Sequence, residues 1–160
     1  MRIGNGYDVH RLVDSRPLII GGVCIDWHLG LAGHSDADVL LHAVCDACIG
    51  AAGWGDIGRH FPPSDELYKD ADSRTFVRQL RQMLTDENWQ ILNLDCTIVV
   101  EQPRLAPYIP QMEENIARDL DINNTQVNVK ATTTEGLGFC GREQGIAAYA
   151  VVLLDSKTVG

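Results

Sequence analysis

No stretch of this chain is apolar for long enough to cross a bilayer: the longest clean run, Ile146 to Leu154, falls far short of the ~20 residues a spanning helix needs. A secretory leader is not expected either, because Asp8 and His10 interrupt the first dozen residues where an apolar core should stand. Positive charge is scarce. Thirteen Lys and Arg face twenty-two Asp and Glu, a net charge of −9, so the overall field repels nucleic acid and anionic membrane, and any phosphate must be held by local features. The five cysteines (24, 45, 48, 96, 140) are odd in number and mostly sit in apolar stretches. That pattern suits reduced thiols in the cytoplasm better than a disulfide framework. Repeats and low-complexity linkers are missing, as are a Walker A loop and a dinucleotide fingerprint, since Gly4-x-Gly6 lacks its third glycine.

What is present is an ordinary globular composition, 45% apolar and 22% charged over 160 residues. One domain spanning 1–160 is the expectation, burying roughly 70% of its extended surface. Ile3–His10 and Pro17–Ile25 read as strands. Ser35 with Asp38 has the form of a capping box opening a helix of about four turns, carried by Val39, Leu40, Ala43, Val44 and Ala47 to Gly50 and Gly53. Trp54–Asp70 reads as a long loop or lid. A helix from Ser73 through Leu84, a strand over Ile91–Val100, a helix marked by Ile109, Met112, Ile116 and Leu120, and strands at Val127–Thr132 and Ile146–Leu154 complete the order. The sum is an α/β (α+β layered) fold with a four-to-five-stranded mixed sheet and helices packed on one face.

Asp8 and His10 are two apart on a strand, so both side chains point to the same side and offer half a metal site. Beside it, Asp38, His42 and Asp46 form one polar stripe on an otherwise apolar helix, which suggests that the stripe borders a cleft. His42 could complete an Asp–His–His set suited to Zn²⁺ with a position left for substrate, Asp38 or Asp46 orienting its imidazole; a core histidine satisfied by Asp46 is the competing reading. Cys45 and Cys48 form a lone CxxC and read as small buried residues. Lys130 to Arg142 packs three threonines, Glu135, glycines and an Arg into thirteen residues. Hydroxyls and glycine-flanked amides there can donate to phosphate, and Glu135 could hold a hard cation; an incidental hairpin is the alternative.

The segments GYDVHR, AGHSDADVLLHAVCDA, GDIGRHFP, IPQM and NVKATTTEGLGFCGREQGIA stand in one order over nearly the whole chain. Together they resemble the 2-C-methyl-D-erythritol 2,4-cyclodiphosphate synthase family of the non-mevalonate isoprenoid pathway. The resemblance implies a homotrimer with its active sites between neighbours, a phosphorus–oxygen lyase that turns 4-diphosphocytidyl-2-C-methyl-D-erythritol 2-phosphate into the cyclodiphosphate and CMP. It implies Asp8, His10 and His42 on one Zn²⁺ per subunit, His34 and Thr133 stabilising the transition state, and Glu135 on Mg²⁺ or Mn²⁺ at the diphosphate. Ser35, Asp56, Ile57 and Gly58 would contact the methylerythritol phosphate, with Phe61, Pro62, Pro63, Ser64 and Asp65 closing over it. Val100, Glu101, Gln102, Pro103, Arg104, Leu105 and Ala106, with Thr132 and Thr134, would cradle the cytidine diphosphate, Phe139 and Arg142 lying nearby. Asn5 and Tyr149 depart from the family's usual His and Glu. A trimeric nucleotide or isoprenoid-diphosphate binding module without turnover is the rival from another class, and a metal-dependent phosphohydrolase the rival enzyme.

Overall fold

The computed structural model describes residues 1–62 and 66–156. Strand β1 (Arg2–Val13) alternates strictly, placing Gly4, Gly6, Asp8 and His10 on the inner face and Ile3, Asn5, Tyr7 and Val9 on the outer. It pairs antiparallel with β7 (Gly145–Ser156), which pairs antiparallel with β5 (Trp89–Val99); β5 runs parallel to β6 (Val127–Thr132), and the two-residue β4 (Gly30–Leu31) closes the other edge. The order β4-β1-β7-β5-β6 is the expected five-stranded mixed sheet.

Helix α1 (Val39–Ala52) lies on β1, β7 and β5, and its remaining surface meets α3 (Ser73–Asp86); α4 (Ile109–Leu120) packs on α3 and β6. Burial on several sides explains why α1 is apolar except at the partly exposed His42 and Asp46 and the exposed Gly50, one row at i, i+4 and i+8. The helix can sit flush on β1 because Gly4 and Gly6 remove the intervening side chains. A Cβ on Gly4 would stand 2.0 Å from the Ala47 carbonyl oxygen, and one on Gly6 2.0 Å from that of Ala43. Four helical residues rise about 6 Å and two strand residues about 6.6 Å, so the two periods stay nearly in step. The Gly4-x-Gly6 pair is thus a packing seam.

Three expectations need correction. Pro17–Ile25 is not one strand but a hairpin, β2 (Leu18–Ile20) and β3 (Val23–Ile25), turned at Gly21 and Gly22, whose φ of 60° and 68° suit glycine. Ser35 does not cap α1. The cap is Asp38, fully buried, whose carboxylate accepts from the amides of Leu41 (3.0 Å), Gly21 (2.9 Å) and Gly22 (2.7 Å). Burial and the neighbouring Asp36 push its pKa up to about 6, with those three amides pulling the other way. Finally, the stretch after Trp54 is not all loop: α2 (Ile57–His60) and a 3₁₀ turn at Glu66–Tyr68 lie within it. Pro63, Ser64 and Asp65, part of the expected lid, fall outside the described residues.

Among the described residues the outer face of β1 and β7 is left uncovered. Ile3 is 73% exposed there, and Tyr7, Val9, Tyr149 and Val151 are exposed beside it, Tyr7 and Tyr149 in contact at 4.9 Å between ring centroids. All five cysteines are free thiols; Cys45 and Cys48 are buried, and burial drives the Cys48 thiol up to about 12, which disqualifies the CxxC as a ready ligand pair. Among the described residues no helix is long and apolar enough to cross a membrane.

Candidate metal centre and substrate cavity

Beyond the glycine seam, β1 delivers Asp8 and His10 to the N-terminal end of α1, where His42 waits one turn inside the helix. Three ligand-type atoms converge: Asp8 Oδ2 lies 2.9 Å from His10 Nε2 and 3.0 Å from His42 Nδ1, and the two nitrogens are 3.1 Å apart. Ligand atoms about 2.0–2.1 Å from a tetrahedral ion stand about 3.3 Å from one another, so the triangle needs only slight opening to take one. Two imidazoles and a carboxylate could hold a metal ion of zinc's character, and the donor set fits. Burial would raise the Asp8 carboxyl, but the hydrogen bonds and charges of both histidines overcome it and bring its pKa down to about 2. Burial likewise disfavours a charged His10, yet Asp8's bond and charge, with a backbone bond at Ala32, hold its pKa above the usual imidazole value.

A cavity of about 250 Å³ opens beside the triad, lined by His10, His34, Ser35, His42, Ile57, Gly58, Phe61, Tyr68 and Phe76. Phe61 stacks on Phe76 with centroids 4.9 Å apart and forms the apolar wall, while His34 and Ser35 supply the polar end. The loop carrying His34 is fixed by Arg16, whose guanidinium donates to the carbonyls of Gly33 (3.0 Å) and Ser35 (2.6 Å), and by the Asp70 amide on the His34 carbonyl (2.8 Å). Asp56 stands outside the cavity and caps α2 by accepting from the Arg59 amide.

A second group gathers elsewhere. The Val100 amide donates to the Thr132 carbonyl (2.9 Å), and Glu101 accepts from the Thr134 amide (2.7 Å), the Thr134 hydroxyl (3.1 Å) and the Gly136 amide (3.4 Å). The Thr134 amide bond leads in holding the Glu101 carboxyl below the usual range. Glu101 therefore braces the turn bearing Thr133 and Glu135, both exposed, with Glu135 in the left-handed region at φ 55°. Gln102, Arg104 and Ala106 are exposed next to it, whereas Val100, Pro103 and Leu105 are buried and offer only backbone. Phe139 lines a cleft with His10 and Gly145, and Arg142, exposed, ends the short α5 (Gly138–Gly141). Neither Thr133, Glu135 nor any residue of 100–106 lines the cavity of the triad.

Asp38 and Asp46 do not orient His42. Asp38 is occupied by the hairpin and helix amides, and Asp46 accepts from the Ile57 amide (3.1 Å), tying α2 to α1. The Nε2 of His42 instead meets Ser73 Oγ at 2.9 Å and Ser35 Oγ at 3.2 Å, and Ser73 in turn bonds Asp36. Sequence reasoning missed Ser73 and Asp36. Nothing in spacing marks a serine thirty-one residues from its histidine, and Arg16 is equally silent.

Fold and site together define an α/β protein with a two-histidine, one-carboxylate centre opening on a small-molecule cavity. The YgbB family matches residues 1–155, and the chain belongs to that family. It is 62% identical to the 2-C-methyl-D-erythritol 2,4-cyclodiphosphate synthase of Geobacillus sp. (strain WCH70), over 98% of this chain and 99% of that one, and 59% identical to the protein of the same name from Syntrophomonas wolfei, over 97% and 99%. Among solved structures it resembles the bifunctional IspDF from Campylobacter jejuni (TM-score 0.94, 41% identity), covering 98% of this chain but 42% of that longer one. It also resembles IspF of Plasmodium falciparum in a CDP complex (TM-score 0.86, 32% identity, 98% and 97% covered).

Proposed function

We propose that the chain is a cyclodiphosphate synthase of non-mevalonate isoprenoid biosynthesis, a phosphorus–oxygen lyase that converts 4-diphosphocytidyl-2-C-methyl-D-erythritol 2-phosphate into 2-C-methyl-D-erythritol 2,4-cyclodiphosphate and CMP. The observation that carries this reading is the convergence of Asp8 Oδ2, His10 Nε2 and His42 Nδ1 at the mouth of a cavity with a polar end at His34 and Ser35. In the reaction an oxygen of the substrate's 2-phosphate bonds to its β-phosphorus, the bond from that phosphorus to the bridging oxygen breaks, and the electron pair leaves on CMP. No protein nucleophile is needed. The chain's task is to hold attacker and electrophile in line and to answer the charge that develops.

A divalent cation on Asp8, His10 and His42, zinc in our reading, supplies Lewis-acid charge to phosphate oxygens when bound. Ser35, Asp56, Ile57 and Gly58 position the methylerythritol phosphate, and the Phe61–Phe76 wall excludes water from one side. His34 donates to oxygens that gain charge in transfer. Thr133 does the same from the second group of residues, where Glu135 would hold Mg²⁺ or Mn²⁺ to offset the diphosphate charge and 100–106 with Thr132 and Thr134 cradle the nucleotide.

Because neither Thr133, Glu135 nor any residue of 100–106 lines the cavity of the triad, our reading is that the working site joins the zinc half of one subunit to the nucleotide half of another. The uncovered apolar sheet face (Ile3, Tyr7, Val9, Tyr149, Val151) supports assembly as a homotrimer. The free thiols suit the cytoplasm. Phosphorus NMR of the reaction tests the proposal: cyclodiphosphate and CMP are expected, inorganic phosphate would make the protein a phosphohydrolase, and unchanged substrate a binding module.

A further inference from the structure

We propose that Ser73 and Asp36 are positioning residues for the metal centre, a hydroxyl–carboxylate relay that keeps the proton of His42 on Nε2 and leaves Nδ1 free to bind the cation. The inference rests on the metal-site reading above. Ser73 is fully buried at the first position of α3, and its Oγ lies 2.9 Å from His42 Nε2. A carboxylate can only accept, so the single hydroxyl proton of Ser73 is spent on Asp36 Oδ1, and the serine oxygen can offer His42 only a lone pair. Nε2 must then carry the hydrogen. Asp36 is itself held in place, accepting from the Ser73 amide (3.0 Å) and the Asp38 amide (3.1 Å), so it joins the start of α1 to the start of α3, where helix dipoles favour its charge. Ser35 Oγ, at 3.2 Å from Nε2, already accepts from the Ala37 amide and is the weaker partner.

The relay has a competitor. Asp8 Oδ2 stands 3.0 Å from His42 Nδ1 and would draw the imidazole proton to that nitrogen, the one the cation needs. Ser73 and Asp36 hold it at the far side of the ring and fix the ring plane, the contribution that outer hydrogen-bond partners of metal-bound histidines make.

The test uses the full chain in its native assembly. Zn²⁺ affinity, measured by competition with a chromophoric chelator, should fall ten- to a hundredfold in Ser73→Ala and return substantially in Ser73→Thr, which keeps the hydroxyl. Nitrogen-15 NMR of the zinc-stripped chain at about pH 8.5, some two units above the ordinary imidazole value of about 6.5, should show His42 with its proton on Nε2 in wild type and shifted toward Nδ1 in Ser73→Ala; loss of the signal in His42→Gln assigns it. Should Ser73→Ala fail to assemble, Ser73→Cys, close in size and a poor hydrogen-bond partner, takes its place with the same two readouts. Unchanged affinity and tautomer in the serine variants overturn the relay. A wild-type chain that binds no zinc, or a His42→Gln chain that binds it as tightly, overturns the metal-site reading instead.

Discussion

Replacing Gly6 by Ala tests the claim that the metal centre is set by backbone-on-backbone packing. The added carbon would sit 2.0 Å from the Ala43 carbonyl oxygen and 2.6 Å from the Ala47 amide nitrogen. Both are main-chain atoms of α1 with no rotamer to escape into, so helix and strand must part by at least about 1 Å. Ala43 follows His42 directly, and Asp8 lies two residues along β1 from Gly6. The parting therefore falls on the 3.0 Å gap between Asp8 Oδ2 and His42 Nδ1, while a metal site tolerates about 0.2 Å in its ligand distances. Overpacking against backbone belongs at the upper end of its usual range, about 3 kcal/mol, which for a chain of this size lowers Tm by roughly 6–12 °C. Calorimetric unfolding gives the stability term and chelator competition the zinc term; Asn5→Ala, on the outer face of the same strand, is the control. A Gly6→Ala protein melting within about 2 °C of wild type and keeping a full complement of zinc would refute the seam as the determinant of the site.

The pKa shifts at the triad fix a pH response. Since Asp8 drops from 3.8 to about 2 on folding, its contribution is present above pH 3.8 and lost as pH falls through about 2; it amounts to about 2 kcal/mol in the metal-free chain, read as the difference from Asp8→Asn in acid denaturation. His10 is raised, so its contribution is complete below pH 6.5 and fades as pH rises through its folded value. Zinc needs that imidazole neutral, and titration should show affinity dropping up to about tenfold per pH unit below the same point. Glu135→Gln should keep its zinc but lose turnover at limiting Mg²⁺ and regain part of it at high Mg²⁺; wild-type rates at limiting Mg²⁺ would take Glu135 out of the mechanism. In the homotrimer proposed above, Asp8→Ala and Thr133→Ala chains should each be nearly inactive, yet equal co-expression should restore about a quarter of wild-type activity, because one site in four then joins two intact halves. Mixed trimers that stay at the single-mutant floor would place the whole site within one subunit.

Local patterning made much of this fold legible. Phe76, Val77, Leu80 and Leu84 mark α3, and Ile109 to Leu120 mark α4; the i, i+2 spacing of Asp8 and His10 puts both side chains on one side of β1, but the pair is common by chance and gains meaning only when His42 joins it. What stayed hidden depends on contacts far apart in the chain. Ser35, Asp36 and Asp38 can each cap a helix, and the choice falls to Asp38 because Gly21 and Gly22 bring it two further amides. The apolar Leu18–Ile20 run looks like half of one strand until a glycine pair with positive φ folds it back. His42 looks for its partner among the acids of its own helix face and finds it on another helix.

The Asp38 carboxylate has a consequence for how the molecule opens. Amides in a two-residue surface turn are ordinarily among the first to trade their hydrogens with water. Those of Gly21 and Gly22 end instead on a buried oxygen pair that also begins α1, and the Gly21 carbonyl is taken by Asn115 of α4 at 3.0 Å. The β2–β3 hairpin, outside the main sheet, is thereby enrolled in the same cooperative unit as the two helices. It cannot peel away alone without stripping α1 of its cap, the end of the helix from which His42 reaches its partners.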